Sequence, residues 1–177
     1  MKKCVLVSGG AGFIGSHVTV ELIESGYDVI VADNLSNSDL TCFEGVKKIT
    51  GKEDIPFYKM DFCDEKATDD LFATNKIDAV IHFAGFKAVG ESVAEPLKYY
   101  RNNLESFINV IESARRHGCR NILFSSSATV YGEPEKLPVT EESPRQSATS
   151  PYGNTKQMCE DILRDSVSAY SEIRGIA

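Results

Sequence analysis

Short runs of β-forming residues alternate with longer helical stretches along the whole chain, and this alternation restricts the fold more than any other feature. Five runs stand out, at residues 4–8, 28–32, 55–59, 79–83 and 121–125, and a sixth begins near 173–177. Strands joined by helices must cross over and pair in parallel, because antiparallel neighbours need only a tight turn. Helices then cover both faces, so the predicted fold class is α/β with a doubly wound parallel sheet. Helical spacing puts Ile14, Val18 and Leu22 on one face of the first helix. It puts Leu97, Tyr100, Leu104, Phe107, Ile111 and Ala114 on one face of a later helix, and both stripes are expected in the core. Residues 133–150 interrupt the pattern with Pro134, Pro138 and Pro144 among serines and threonines, which predicts a long surface loop.

At 177 residues with 42% hydrophobic side chains, the chain is expected to form one domain over 1–177 around a sizeable core. Its net charge of −7 disfavours nucleic acid and anionic membranes as partners. The five cysteines are odd in number and lack any Cys-x-x-Cys pair, which argues against both a disulfide framework and a zinc site. Only five strand-like residues separate Met1-Lys2-Lys3 from Gly9, too few for a signal peptide or a membrane span. A cytoplasmic location and no bound metal are the expectations.

Directly after the first strand comes Ser8-Gly9-Gly10-Ala11-Gly12-Phe13-Ile14-Gly15-Ser16. Glycines at this spacing allow a tight turn, a close backbone approach to a pyrophosphate, and close packing of the following helix, whose dipole points at the anion. Asp33 ends the second strand about twenty residues further on, where a carboxylate accepts hydrogen bonds from an adenosine ribose. Together these mark a Rossmann-type fold that binds NAD. A 2′-phosphate would be repelled by Asp33, and Asn34-Leu35-Ser36-Asn37-Ser38 offers no cation to neutralise it.

Ser150-Pro151-Tyr152-Gly153-Asn154-Thr155-Lys156 reads as a helix start, with Ser150 as N-cap, Pro151 at the first helical position, and Tyr152 and Lys156 on one face. A free tyrosine loses its proton near pH 10, so a tyrosine base needs about 4 kcal/mol from its surroundings to work near neutrality. A lysine ammonium one turn away is one source. Upstream, Ser125, Ser126 and Ser127 follow the fifth strand, at the carboxyl edge where open α/β sheets bind ligands. Ser127 is the candidate to hydrogen-bond a reacting hydroxyl. No Gly-x-Ser-x-Gly elbow supports a serine hydrolase, and His82 and His117 are expected to be packing or surface residues.

Four stretches, at residues 8–17, 81–92, 124–132 and 150–156, resemble the extended short-chain dehydrogenase/reductases. The likeness is closest to the UDP-glucose (UDP-galactose) 4-epimerases of that family and extends over essentially the whole chain. The first and last stretches are shared by the superfamily, whereas the middle two are more specific to the 4-epimerases. Phe86 stands where relatives often carry leucine.

The resemblance implies NAD as cofactor and UDP-galactose or UDP-glucose as substrate. It assigns Gly9, Gly12, Phe13, Ile14, Gly15, Asp33, Asn34, Asn37 and Ser38 to the cofactor, and Asp61 and Phe62 to its adenine. It places Phe83, Ala84, Gly85 and Lys87 beside cofactor and sugar, and Asn102 against the dinucleotide. Ser127, Tyr152 and Lys156 match the catalytic positions, with Lys87, Ser127 and Tyr152 also touching substrate. The implied reaction is inversion at C4: Tyr152 takes the 4-hydroxyl proton while NAD takes the hydride, and both return to the other face of a 4-keto sugar. Related dehydratases carry an acidic pair near the serine, where this chain has Ala128-Thr129.

Family members continue into a smaller domain that holds the uridine nucleotide. The chain is therefore expected to lack the C-terminal substrate domain and to turn over little substrate alone. The alternatives are a non-catalytic NAD-binding remnant and another NAD-dependent sugar-nucleotide epimerase or dehydratase. A homodimer through the two long helices, residues 95–117 and 151–171, is a further implication of the resemblance.

Overall fold

A computed structural model describes residues 2–177. Six parallel strands form one sheet: β1 (Cys4–Ser8), β2 (Asp28–Asp33), β3 (Phe57–Lys59), β4 (Ala79–His82), β5 (Asn121–Phe124) and β6 (Arg174–Ile176). Their order is β3-β2-β1-β4-β5-β6, so the winding reverses direction between β1 and β4 and opens a crevice there. Register aligns the carboxyl ends, with Ser8 beside Ala32 on one side and His82 on the other, and His82 beside Phe124. β3 is shorter than its apolar run because Pro56, which has no N–H to give to the ladder, precedes Phe57. Ile55 is nevertheless buried.

The helices are α1 (Phe13–Glu24), α2 (Leu40–Thr50), α3 (Glu65–Thr74), α4 (Val89–Ala94), α5 (Pro96–Arg116) and α6 (Pro151–Ala169), with a 3-10 helix at Ala128–Tyr131. Alternate strand residues face opposite sides and build two cores. Val5, Val7, Val29 and Val31 meet Phe43 and Val46 of α2 and the half-buried Val20 and Ile23 of α1. Leu6, Ile30 and Val80 meet Phe72 of α3, Phe107 and Val110 of α5, and Leu163 of α6. Burial on both faces explains why the strands read as unbroken apolar runs rather than alternating ones.

Two helical stripes differ from the periodicity. Ile14, expected in the core, is 58% exposed, and Leu97 is 80% exposed. Both lie on the outward side of their helices, because residues of the same first turns take the inward side: Gly15 and Ser16 in α1, and Tyr99 in α5. α1 instead turns Gly15, Ser16 and Thr19 to the interior. Those small residues let the helix sit close: a methyl on Gly15 would meet the Gly9 carbonyl oxygen at 2.4 Å. In α5 the buried face runs through Tyr99, Asn103, Phe107, Val110 and Ala114, with Tyr100 and Leu104 only half-buried.

Residues 133–150 form the expected long loop, without helix or strand. α6 holds it: Arg145 makes two bonds to Asp161, at 2.7 and 2.9 Å, and Gln157 Nε2 donates to the Gln146 carbonyl. Among the described residues no helix is long and apolar enough to cross a membrane, and no cluster of three or more His, Cys, Asp or Glu side chains could hold a metal ion.

Candidate functional site

β1 ends at Ser8 and the chain turns sharply through Gly9, whose φ of +71° suits glycine. Its N–H donates to the Ala32 carbonyl at 2.8 Å, and a methyl on Gly9 would lie 2.8 Å from the Ala84 nitrogen. The turn is thus wedged between the ends of β2 and β4. Gly12 caps α1 without a side-chain hydrogen bond. First-turn N–H groups have no partner inside a helix, so this uncapped positive end is suited to receive an anion.

Asp33 binds both sides of this turn. Its Oδ2 accepts from the Ala11 N–H at 3.1 Å, and its Oδ1 accepts from the Leu35 N–H at 2.8 Å and the Ser38 hydroxyl at 3.0 Å. Leu35 takes up a left-handed φ of +60°, costly for a branched side chain and held here by that bond. Asn34 Nδ2 donates to Asp61 Oδ2 at 3.2 Å, bringing a second carboxylate to the same end. Asp39 also lines it. Among the described residues, none of the lining side chains between Asp33 and Cys42 is a cation.

At the opposite end, Ser150 accepts from the Gly153 N–H at 3.1 Å and Pro151 opens α6, so Tyr152 and Lys156 project from its first turns. Lys156 Nζ donates to the Ser125 carbonyl at 2.7 Å, lies 4.5 Å from the Phe124 ring centroid and 5.9 Å from that of Tyr152. Burial pushes its ammonium down to about 8. Ser127 caps the 3-10 helix, and its hydroxyl accepts from Thr129. Ser126 donates to Glu160, one turn beyond Lys156 on α6.

Beneath the cleft lies a polar hub absent from the sequence reading. Asn103 pairs with both backbone groups of Phe86, accepting from its N–H at 2.8 Å and donating to its carbonyl at 3.0 Å. The same side chain donates to Thr155 Oγ1 at 3.1 Å and accepts from Asn102 Nδ2 at 2.9 Å. It therefore couples the loop after β4 to α6 next to Lys156. Its only sequence signal is a polar residue at a core position of α5, in register with Phe107 and Val110.

His82 is buried, as expected of a packing residue. Its Nδ1 lies 2.8 Å from Ser8 Oγ, and its ring contacts Phe62, Phe107 and Phe124. Burial, followed by the Lys156 charge, pushes it down to about 3, so it stays neutral. His117 sits at the surface beside Asp69.

One cleft of about 550 Å³ gathers every residue assigned from the sequence to cofactor, substrate or catalysis. Gly9, Gly12, Phe13, Ile14 and Gly15 form its floor at α1, and Asp33, Asn34, Asn37 and Ser38 close one end, with Asp61 and Phe62 beside them. Phe83, Ala84, Gly85 and Lys87 follow β4, Asn102 comes from α5, and Ser127, Tyr152 and Lys156 close the other end. The Phe62 ring itself belongs to the core. Ala11, Ser36, Asp39, Cys42, Met60, Phe86, Ser106, Ser125 and Ser126 also line the cleft, although the sequence assigned none of them a role there. Ser125 acts through its carbonyl, which any residue could supply, so its identity carries no signal.

A parallel sheet in this order, with an uncapped glycine turn at its switch point, defines a Rossmann-type dinucleotide-binding fold. Residues 5–177 match the model of the NAD dependent epimerase/dehydratase family, and the chain belongs to that family. It is 57% identical over 168 residues to UDP-glucose 4-epimerase of Bacillus subtilis (strain 168), a match covering 95% of this chain and 49% of that protein. The structure superposes with a TM-score of 0.94 on UDP-glucose 4-epimerase from Bifidobacterium longum, solved in complex with NAD+ and UDP, at 50% identity over 98% of this chain and 51% of that one. The UDP-Glc/GlcNAc 4-epimerase of Campylobacter jejuni gives 0.91 at 37% identity, again over 98% of this chain and 51% of its own. The chain thus spans about half the length of the relatives it matches.

Proposed function

We propose that residues 1–177 are the NAD-binding domain of a UDP-glucose 4-epimerase that interconverts UDP-galactose and UDP-glucose. One observation carries this reading: the anion-receptive head of α1, the Asp33 carboxylate and the Ser127–Tyr152–Lys156 group all open onto a single cleft. The fit to a dinucleotide rests on the backbone. Side chains at Gly9 and Gly15 would collide with neighbouring main chain at 2.8 and 2.4 Å, so the glycine turn stays tight and the uncapped first turn of α1 is left open to a pyrophosphate. The carboxylates of Asp33 and Asp61, with no cation among the lining residues between Asp33 and Cys42, suit a ribose with free hydroxyls and oppose a 2′-phosphate.

NAD held there supplies an acceptor and donor of hydride for the sugar C4. Tyr152 accepts the proton of the 4-hydroxyl. Lys156, fixed by the Ser125 carbonyl, keeps positive charge near the phenol, where it favours the proton transfer. Ser127 bonds the sugar O4, and Tyr152 returns the proton when the 4-keto sugar presents its other face, so C4 is inverted with no net oxidation. The absence of an acidic pair after Ser127 favours epimerisation over dehydration. A cytoplasmic enzyme that dimerises through α5 and α6, without nucleic acid or membrane partners, completes the reading.

The test uses Tyr152→Phe in the complete gene product. Conversion of UDP-galactose should fall by at least about a hundredfold, while calorimetry finds NAD affinity unchanged and NADP binding far weaker. Loss of NAD with turnover retained, or equal affinity for NADP, would refute the roles assigned.

A further inference from the structure

We propose that Thr129 is a positioning residue that sets the polarity of the Ser127 hydroxyl, leaving Ser127 able only to donate a hydrogen bond to the sugar O4. This rests on the epimerase reading of the cleft. Ser127 Oγ accepts from the Thr129 N–H at 3.3 Å, and the Thr129 hydroxyl lies 3.0 Å from it, placed to donate to the second lone pair. A hydroxyl oxygen offers two lone pairs and one proton. One residue two places along therefore engages both acceptor positions, and only the proton remains for a ligand.

The turn holds this arrangement in place. The Val130 N–H donates to the Ser127 carbonyl at 3.1 Å, and the Gly132 N–H donates to the Thr129 carbonyl at 3.2 Å. Gln157 Nε2 then ties the Val130 carbonyl to α6 at 2.8 Å, immediately after Lys156. Thr129 itself packs where α6 has no side chain: a methyl on Gly153 would come within 3.3 Å of Thr129 Cβ.

The polarity has a chemical consequence. The O4–H bond breaks and a new O–H bond forms on the Tyr152 oxygen, while Ser127 keeps its own proton throughout. A serine that only donates gives O4 a bond that strengthens as negative charge builds there and persists to the carbonyl. It has no free lone pair to receive the O4 proton, so transfer runs directly to Tyr152 and not through the serine.

Neutron diffraction from deuterated crystals of the complete gene product reads the polarity directly. The Thr129 hydroxyl deuteron should point at Ser127 Oγ, and the Ser127 deuteron into the cleft. A Ser127 deuteron directed at Thr129 Oγ1 overturns the inference whatever the protein catalyses. Kinetically, Thr129→Val should lower kcat about tenfold with KM nearly unchanged. Thr129→Ser should restore it, and Thr129→Val should have no further effect once Ser127 is alanine. An equal loss in the Ser127→Ala background shows a purely structural role and also overturns the inference. Wild-type protein that binds NAD but leaves UDP-galactose unchanged sinks the epimerase reading and the role toward O4 with it, while the deuteron positions still decide the polarity.

Discussion

Replacing Lys156 with methionine should change how the stability of this protein depends on pH, by an amount the structure sets. Lys156 is 8% exposed, and burial lowers it from 10.5 to about 8. In the unfolded chain it returns to its ordinary value, so between those two pH values the unfolded state holds a proton that the folded state has released. Stability contributed by this group therefore rises with pH across that window and is lowest below about pH 8. The gap is worth about 3 kcal/mol, of which about 2.5 kcal/mol falls between pH 7 and pH 10. Methionine has no charge to bury and lacks this rise. Losing the bond to the Ser125 carbonyl shifts the baseline of the variant at every pH without creating a slope.

Wild-type protein alone is not diagnostic. Burial holds Cys63, Cys159 and Tyr99 up at about 12, so the folded state keeps their protons and their contributions fall as pH rises above their ordinary values. The difference between wild type and Lys156→Met isolates the lysine, and a Cys159→Ala background in both arms removes its thiol neighbour. Urea unfolding followed by circular dichroism at pH 7 and pH 10 is the assay. The stability difference should move by about 2.5 kcal/mol in favour of lysine, a relative midpoint shift of about 1 M urea. Curves that shift in parallel, within about 0.5 kcal/mol, would show that the ammonium is solvated as in water and that the buried cation beside Tyr152 is not there.

Two further substitutions probe the cleft. Gly15→Ala places a methyl 2.4 Å from the Gly9 carbonyl oxygen and 2.8 Å from Gly10 Cα, so α1 must retreat from the turn. NAD affinity by calorimetry should fall about 10- to 100-fold with the circular dichroism spectrum intact, and undiminished binding would contradict the packing. Asn103→Leu leaves both backbone groups of Phe86 without their partner, which should cost about 2–4 kcal/mol in urea unfolding. Hydrogen exchange at the Phe86 amide should quicken in that variant, and unchanged protection would mean the hub does not hold the loop.

Much of this molecule is legible without coordinates because the information is local. A strand buried on both faces leaves an apolar run, the turn after β1 must be glycine where φ is +71° and neighbours approach within 3 Å, and a helix start announces itself as Ser150-Pro151. Those signals located the strands, the glycine turn, Asp33 and the Ser127–Tyr152–Lys156 group. Other features depend on segments remote in sequence. Whether Ile14 or Gly15 faces inward depends on how α1 is rotated against the glycine turn, and the rotation of α5 likewise puts Tyr99 inside and leaves Leu97 in solvent. Asn103 looks like a polar blemish in an apolar stripe until Phe86, 17 residues before it, and Thr155, 52 residues after it, close around its amide. The strand order β3-β2-β1-β4-β5-β6 is likewise a choice among pairings that local propensity does not distinguish. Backbone geometry imposes its periods on nearby residues, so elements and turns are written in the chain itself. Burial of a side chain and the partner of a hydrogen bond depend on what arrives from elsewhere, and only the packed structure decides them.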